Sequence, residues 1–358
     1  MRAVCADIMK NITKTVRKWS WSALALLVTA VCLFGLLRDS SSAKQQAVSS
    51  TTVAMGSVVT QSIYSNDSSY ARETAQAVNK AVSDLEKKIS WRIEGSEIYL
   101  LNSGKSLTLS QDTDKLLAYA LDVFQKSGGA FDCAILGISS QWDFDAEQFS
   151  PPSSENVENA LANSGSENIV ITNGVYTLTG GVTLDLGALG KGAACDVAID
   201  MYRTAGVDAA IVTVGGSVGV YGQKDGNTPW KIGVRDPNGS QSDVLGVISL
   251  TSGCVSTSGT YEKMKEVDGI KYHHILDPST GFPADTDLIS ATVICESGAL
   301  SDCLATAAVV LGKEDAVRLL DQYGVDYLLV TENSEIIVSD GMNDIFSLTA
   351  NGYSLVSD

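Results

Sequence analysis

Alternating and helical spacings of apolar residues divide the chain into short elements. Apolar and polar residues alternate over 55–65, which predicts a strand. Helical spacing over 68–93 predicts a helix with Ser68 or Ser69 as its N-cap. A second helix is predicted over 112–128, with Asp112 near its cap and Gly128 at its end. The first part of the chain therefore contains both helices and strands.

The later segments mix the two periodicities irregularly. Strands are predicted around the Asn173-Gly174 hairpin signal, and a hairpin over 325–341. Helices are predicted over 190–206 and 302–311, with an apolar strand over 209–216 between them. Such an order favours an α+β fold with a mixed or antiparallel sheet and flanking helices over a regular doubly wound one. We find no internal repeat and no linker after residue 54, so residues 55–358 are predicted to form one domain.

The N-terminus has the pattern of a targeting segment. A basic region over 1–20 precedes an apolar run over 21–37, and a polar stretch over 38–54 resembles a tether. The basic flank would stay inside the cell, so the following domain is expected on the outer face of the membrane. We favour an uncleaved anchor or signal segment. Cleavage after Ala43 and lipid attachment at Cys32 are the alternatives.

Charge and cysteine content narrow the classes of function. Residues 1–43 carry six Lys or Arg against two Asp or Glu, a net +4; since the whole chain carries −17, the remainder carries −21. So acidic a domain would repel nucleic acid phosphates, and we exclude DNA or RNA binding. The seven cysteines form no C-x-x-C pair, which argues against a disulfide framework or zinc site and favours buried free thiols.

Only two histidines occur in the chain, side by side at 273 and 274. They lie on the predicted return strand of a hairpin that turns at Asp268-Gly269. Neighbouring side chains of a strand point to opposite faces, so the two rings cannot do the same job. Two histidines also cannot build a His-rich transition-metal site. Any metal here is expected to be a hard, oxygen-bound ion.

Two further segments could carry chemistry. Residues 183–198 place three glycines between a strand and a helix, with Asp185 and Lys191 beside them, but match no standard nucleotide motif. Packing and phosphate binding both explain such a turn. Asp302 and Thr306 stand one turn apart on a predicted helix, where they could share a hard cation, although helix capping is the simpler explanation.

Taken in order, these segments resemble the ApbE family of FAD:protein FMN transferases. The resemblance runs from about Met55 to the C-terminus. Its motifs are "MGS" (55–57), "GGAFDCAILGISSQW" (128–142), "LDLGALGKGAACD" (184–196), "VTVGGSVGVYG" (212–222), "STSGTYEK" (256–263), "YHHILDPSTGFP" (272–283) and "SDCLATAAVVLG" (301–312). The pairing of H-I-L-D-P-x-T-G with D-x-L-A-T is highly specific.

The resemblance implies a reaction and a set of site residues. FAD would be cleaved at its diphosphate, FMN transferred to a Thr or Ser hydroxyl of a client redox protein, and AMP released, with Mg²⁺ required. Asp302 and Thr306 would bind the metal through side chains, and Ala188 through its carbonyl. His274 would be the general base. The remaining positions correspond to flavin-nucleotide contacts: Met55, Ala130, Phe131, Asp132, Asp185, Lys191 and Ile275.

Two other functions would use the same residues. A Mg²⁺-dependent FAD pyrophosphatase would use water in place of the client hydroxyl and release FMN and AMP. A non-catalytic FAD-binding protein would release no AMP. The client's identity lies beyond the sequence, although clients of this family typically present a [ST]-G-A-[ST] acceptor.

Overall fold

A computed structural model describes residues 47–224 and 227–356. The predicted basic region and apolar segment at 1–37 lie outside the described residues. The strands are β1 (Val48–Ala54), β2 (Ser57–Tyr64), β3 (Ile169–Thr172), β4 (Val175–Leu178), β5 (Ala209–Val214), β6 (Ser217–Gly222), β7 (Trp230–Arg235), β8 (Val244–Leu250), β9 (Gly253–Gly259), β10 (Met264–Val267), β11 (Ile270–His273), β12 (Leu288–Cys295), β13 (Asp326–Thr331), β14 (Glu335–Val338), β15 (Phe346–Leu348) and β16 (Ser354–Val356).

Helices alternate with these strands. They are α1 (Ser68–Ile89), α2 (Glu97–Asn102), α3 (Gln111–Lys126), α4 (Leu136–Trp142), α5 (Ser154–Leu161), α6 (Gly187–Ala205), α7 (Gly298–Leu311) and α8 (Lys313–Tyr323), with short 3₁₀ turns at Ser166–Asn168 and Asp340–Asp344. Within the described residues, we find no helix with the length and apolar character needed to cross a bilayer.

A nine-stranded sheet organises the fold, in the order β1-β2-β5-β6-β9-β12-β13-β14-β16. Its neighbouring strands are antiparallel except β14 and β16, which run parallel, so the sheet is mixed. Smaller sheets join β7, β8 and β15, β3 with β4, and β10 with β11. The α+β prediction with a mixed sheet and flanking helices is confirmed.

Both faces of the sheet are covered, which explains the continuous apolar strands. In β5, Ala210 and Val212 pack with helices α1 and α6, whereas the intervening Ile211 packs on the other side with Trp230 of the three-stranded sheet. Side chains alternate between faces with a period of two, so a strand buried on both faces needs apolar residues at nearly every position.

The structure differs from the sequence expectations at element boundaries. Helix α6 begins at Gly187 and α7 at Gly298, three and four residues earlier than predicted, because small residues there extend each helix into its crossing with the other. Strand β11 ends at His273, so His274 follows the strand. Strand β1 pairs along its full length with β2. The predicted domain start at residue 55 therefore falls inside the fold, because β1 covers seven residues assigned to the tether.

Candidate active site

The site is built around a close crossing of α6 and α7. A Cβ atom added to Gly192 would lie 1.9 Å from the carbonyl oxygen of Gly298, and one added to Gly298 would lie 2.3 Å from that of Gly192. Only glycine lets two backbones approach so closely. The crossing brings the second turn of α6 against the first turn of α7.

Asp302 of α7 reaches across this crossing to α6. Its carboxylate is buried; one oxygen accepts the Gly192 amide at 2.6 Å and the other accepts the Ser217 hydroxyl at 2.6 Å. Residue 188 stands one helical turn before Gly192, so its carbonyl points along α6 toward the Gly192 amide that Asp302 contacts. Two of the predicted metal ligands, Asp302 and the Ala188 carbonyl, thus belong to one contact between helices.

Thr306 follows Asp302 by one turn on the same side of α7. Its hydroxyl lies 3.1 Å from that of Ser258, which projects from β9. The oxygens gathered here belong to a carboxylate, hydroxyls and a main-chain carbonyl, the donor types that hard cations prefer. No group of three His, Cys, Asp or Glu side chains arranged to hold a metal occurs within 47–224 and 227–356. The Gly192 amide and the Ser217 hydroxyl, which donate to Asp302, are both uncharged, so this buried carboxylate fits a bound cation.

Met55, Asp185 and Lys191 surround the start of α6. Met55 occupies the tight turn between β1 and β2 with φ of +53°, a left-handed conformation that is unusual for methionine. Its sulfur lies 3.8 Å from where a Cβ on Gly190 would stand, so it packs over the glycine-rich turn. Asp185 accepts the Gly187 amide at 2.8 Å and so stabilises the start of the helix. Lys191 directs its ammonium toward the Gly187 carbonyl, at 3.5 Å.

Ala130 and Asp132 line a cavity of about 440 Å³. The Asp132 carboxylate accepts the Ala134 amide at 2.7 Å and the Ser166 amide at 3.1 Å. Burial raises the pKa of its carboxyl, against the opposing effect of these hydrogen bonds. The Asp185 amide donates to the Cys133 carbonyl at 2.8 Å, which joins this turn to the segment that leads into α6.

Phe131 and Ile275 turn their side chains into the hydrophobic core. Ile275 is 5% exposed, and its carbonyl accepts the Ala284 amide at 2.9 Å. Phe131 is 2% exposed, and its amide donates to the Ser127 hydroxyl at 3.1 Å. The side chains of Phe131 and Ile275 therefore cannot face a ligand, and any contact from these two residues would come from their backbone atoms.

The two histidines have different surroundings. His273 is half-buried; its Nε2 lies 3.0 Å from the Ala284 carbonyl, and its Nδ1 has no hydrogen-bond partner among the described residues. Burial lowers the pKa of its imidazole. His274 as a residue is exposed, yet desolvation of its imidazole by neighbouring protein atoms, followed by the positive charges of Lys263 and Lys191, lowers the pKa of the ring. His274 therefore stays neutral at neutral pH.

Sequence reasoning missed three residues that support the site. Ser217 and Ser258 orient Asp302 and Thr306, as described above. Asp196 of α6 accepts the Ser297 hydroxyl and the Gly298 and Ala299 amides at 2.9, 2.5 and 3.1 Å, which caps the N-terminus of α7. The aspartate following "GKGAAC" was the available signal for Asp196, and the run of hydroxyl residues around Gly259 was the signal for Ser258, whereas Ser217 had none.

Comparisons with known proteins identify the family. Residues 55–329 match the family model described as "ApbE family". The chain belongs to the ApbE family. It is 31% identical over 302 residues to the FAD:protein FMN transferase of Treponema pallidum, covering 77% of this chain and 83% of that protein. It is 29% identical over 311 residues to that of Klebsiella pneumoniae, covering 85% and 95%.

Solved ApbE structures have the same fold. The ApbE protein of Thermotoga maritima superposes with a TM-score of 0.77 at 33% identity, covering 84% of this chain and 99% of that one. The flavinyl transferase ApbE of Pseudomonas stutzeri, in its apo form, gives 0.75 at 26% identity, covering 87% and 100%. The prediction of an ApbE-like domain is confirmed.

Proposed function

We propose that this ApbE protein transfers FMN from FAD to a Thr or Ser hydroxyl of a client protein and releases AMP. The observation that carries the proposal is the buried Asp302 carboxylate, which meets the second turn of α6 across the glycine crossing and accepts hydrogen bonds from the uncharged Gly192 amide and Ser217 hydroxyl. A site with hard oxygen donors beside a glycine-rich helix start suits a diphosphate and its counter-ion.

The reaction displaces one phosphate group from another. The client's hydroxyl oxygen attacks the phosphorus of the FMN half, the bond from this phosphorus to the bridging oxygen breaks, and AMP leaves with that oxygen. His274, which is neutral at neutral pH, is the proposed acceptor of the proton of the attacking hydroxyl. The positive end of the α6 dipole would favour the negative charge of the diphosphate.

We propose Mg²⁺ as the cation, held by Asp302, Thr306 and the Ala188 carbonyl. When bound, it would neutralise negative charge on the diphosphate. Ser217 and Ser258 keep the two side-chain ligands in place. Met55, Asp185 and Lys191 are the proposed contacts at the α6 end of the nucleotide. The other proposed nucleotide contacts are Ala130 and Asp132, which line the cavity, and the backbone at Phe131 and Ile275.

Hydrolysis of FAD is the second candidate function. His274 is exposed as a residue, so a water molecule could take the place of the client hydroxyl. The products would then be FMN and AMP, with an unmodified client. The non-catalytic alternative, storage of FAD, predicts no AMP at all.

Covalent flavin on a client protein tests the proposal. The full chain is incubated with FAD, Mg²⁺ and a client that presents a [ST]-G-A-[ST] sequence, and the products are separated on a denaturing gel. We expect flavin fluorescence that migrates with the client and is lost when EDTA is added or Asp302 is changed to Ala. A fluorescent client band of equal strength in EDTA would count against the metal site, and an unlabelled client against the transfer.

We also propose that residues 1–37 direct export and anchor the domain on the outer face of the membrane. The basic flank and the apolar run in the sequence support this placement. Fractionation of cells that produce the full chain would test it, with the protein expected in the membrane fraction and accessible to protease from outside.

A further inference from the structure

Lys263 and His274 face each other at the open end of the β10–β11 hairpin. Met264 pairs with His273 and Lys265 with Tyr272, so the next pair is Lys263 with His274. The His274 amide donates to the Lys263 carbonyl at 3.1 Å, which extends the ladder by one bond. Directly opposite residues of an antiparallel pair lie on the same face, with Cβ atoms about 5 Å apart. Lys263 and His274 are therefore side-by-side neighbours.

The same face of the hairpin is bound to residues 142–149, which we term the aromatic segment. Lys263 donates to both carboxylate oxygens of Asp145, at 2.8 and 3.1 Å. Lys265, two residues along the strand, donates to the Ala146 carbonyl at 3.3 Å. Two consecutive side chains of this face thus hold one short stretch of the aromatic segment.

Ring packing fixes the aromatic segment against the hairpin. Trp142 lies 5.6 Å from Tyr272 between ring centroids, and Phe149 lies 6.0 Å from the same ring. Phe144 stacks between Trp142 and Phe149 at 5.8 and 5.2 Å. Trp142 is 1% exposed and donates its indole N–H to the Gly281 carbonyl at 2.8 Å. Asp145 therefore projects from a well-anchored segment.

Asp145 also acts on His274 electrostatically, through the charge of its carboxylate. The charged or titratable groups that act on the His274 ring are Lys263, Lys191 and His273, which disfavour its protonated form, and Asp145, which favours it. Without Asp145, the ammonium of Lys263 would be unpaired beside the imidazole and free to leave its present position.

We propose that Asp145 is a positioning residue for FMN transfer, which acts on His274 by fixing Lys263, its neighbour across the ladder. This inference rests on the proposed function, in which His274 accepts the proton of the client hydroxyl. Asp145 itself contacts neither substrate nor reacting atoms. Its carboxylate fixes the side chain of Lys263. Through Lys263 it also fixes the strand backbone to which the His274 amide donates.

A double-mutant cycle between Asp145 and His274 tests the proposal. Asp145→Asn keeps the shape of the side chain and removes its charge. We expect the kcat for FMN transfer to fall about tenfold, less than the 10²–10⁴-fold typical of losing a general base, with the KM for FAD within about twofold. Asp145→Glu should restore most of the rate. In a His274→Gln background, Asp145→Asn should have no further effect, because its partner is already gone.

Two results would overturn the inference: an unchanged kcat in Asp145→Asn, or an equal loss of rate with and without His274. Lys263→Met is the second variant, expected to behave like Asp145→Asn. Asp112→Asn is the matched control, since it breaks another exposed ion pair between elements, with Lys88 at 2.6 Å, and should leave kcat unchanged. Thermal unfolding midpoints identify any variant that fails to fold.

Failure of the proposed function would be recognised separately. If the unaltered chain transfers no FMN, the inference is judged from the histidine ring signals in NMR spectra of histidine-labelled protein. The chain has only two histidines, so His274→Gln assigns both signals. Asp145→Asn should then shift the signal of His274 and leave that of His273 in place. An unmoved His274 signal would overturn the inference.

Discussion

At the residue scale, the two adjacent histidines differ in their surroundings because strand β11 ends between them. His273 closes strand β11 and makes a hydrogen-bond contact with the Ala284 carbonyl, so its ring is committed to the fold. His274 lies one residue beyond the strand and is exposed as a residue. The sequence predicted that only one ring serves the chemistry. That assignment stays a prediction, which replacing each histidine in turn would test.

The lowered pKa of His274 has a consequence for the pH dependence of FMN transfer. An imidazole with a lowered pKa stays neutral below the usual value of 6.5, so the base remains available as the pH falls. We expect kcat to stay nearly constant from about pH 7.5 down to about pH 6, whereas a base with an ordinary pKa would already lose activity there. A pH–rate profile with a half-maximal point near 6.5 would contradict this assignment.

The left-handed conformation of Met55 affects both the stability of its turn and, through the proposed nucleotide contact, the affinity for FAD. Asparagine adopts this conformation more readily than methionine, so Met55→Asn should gain about 0.5–1 kcal/mol in the turn and lose a similar amount of packing. We expect an almost unchanged free energy of unfolding, with FAD bound about fivefold more weakly. Fluorescence titration with FAD and urea unfolding measure the two quantities.

The hairpin at Asn173 provides the matched control for Met55. Asn173 and Gly174 adopt φ of 51° and 75° in a turn of the same kind. Asn173→Met should lower the free energy of unfolding by about 1 kcal/mol and leave FAD affinity unchanged. A Met55→Asn variant that binds FAD normally would remove Met55 from the proposed nucleotide contacts.

At the element scale, the crossing of α6 and α7 sets the geometry of the site. Gly192→Ala would place a methyl group inside the backbone of α7, and the helices would have to separate. We expect a loss of about 3 kcal/mol or more in the free energy of unfolding, together with loss of FMN transfer as Asp302 moves from Gly192. Urea unfolding and the gel assay measure both.

Gly137 is the control for this substitution. A Cβ added there would lie 3.8 Å from its nearest neighbour, which is an ordinary contact. Gly137→Ala in α4 should therefore change stability by less than about 1 kcal/mol. If Gly192→Ala were as mild, the close crossing would not govern the position of Asp302.

At the scale of the whole molecule, the sequence revealed most elements but not how they meet. Alternation and hairpin signals found β13, β14 and the turn at Asn173, because their patterns are local. The start of α7 at Gly298 is capped locally by Ser297 and also by Asp196, about a hundred residues earlier, and only the fold reveals the second cap. Ser217 likewise becomes a partner of Asp302 only through sheet pairing and helix packing. Motif resemblance named the main candidates, whereas their supporting residues needed the fold.

The core also protects the thiols, as the cysteine spacing predicted. The five cysteines of the described part are free, and four are buried. Burial raises the pKa of Cys133 and of the half-buried Cys295 to about 12. We expect iodoacetamide at pH 8 to modify these two far more slowly in the native chain than in urea, as read by peptide mass spectrometry. Rapid native labelling of Cys133 would contradict the packing described.

The most direct test of the central claim compares AMP with covalent flavin in one reaction. The full chain is mixed with FAD, Mg²⁺ and a client that presents the acceptor sequence; AMP is then quantified, and the mass of the client is measured. We expect one AMP for each FMN added to the client, and neither product with Asp302→Ala. AMP accompanied by free FMN and an unmodified client would contradict the transferase and indicate FAD hydrolysis.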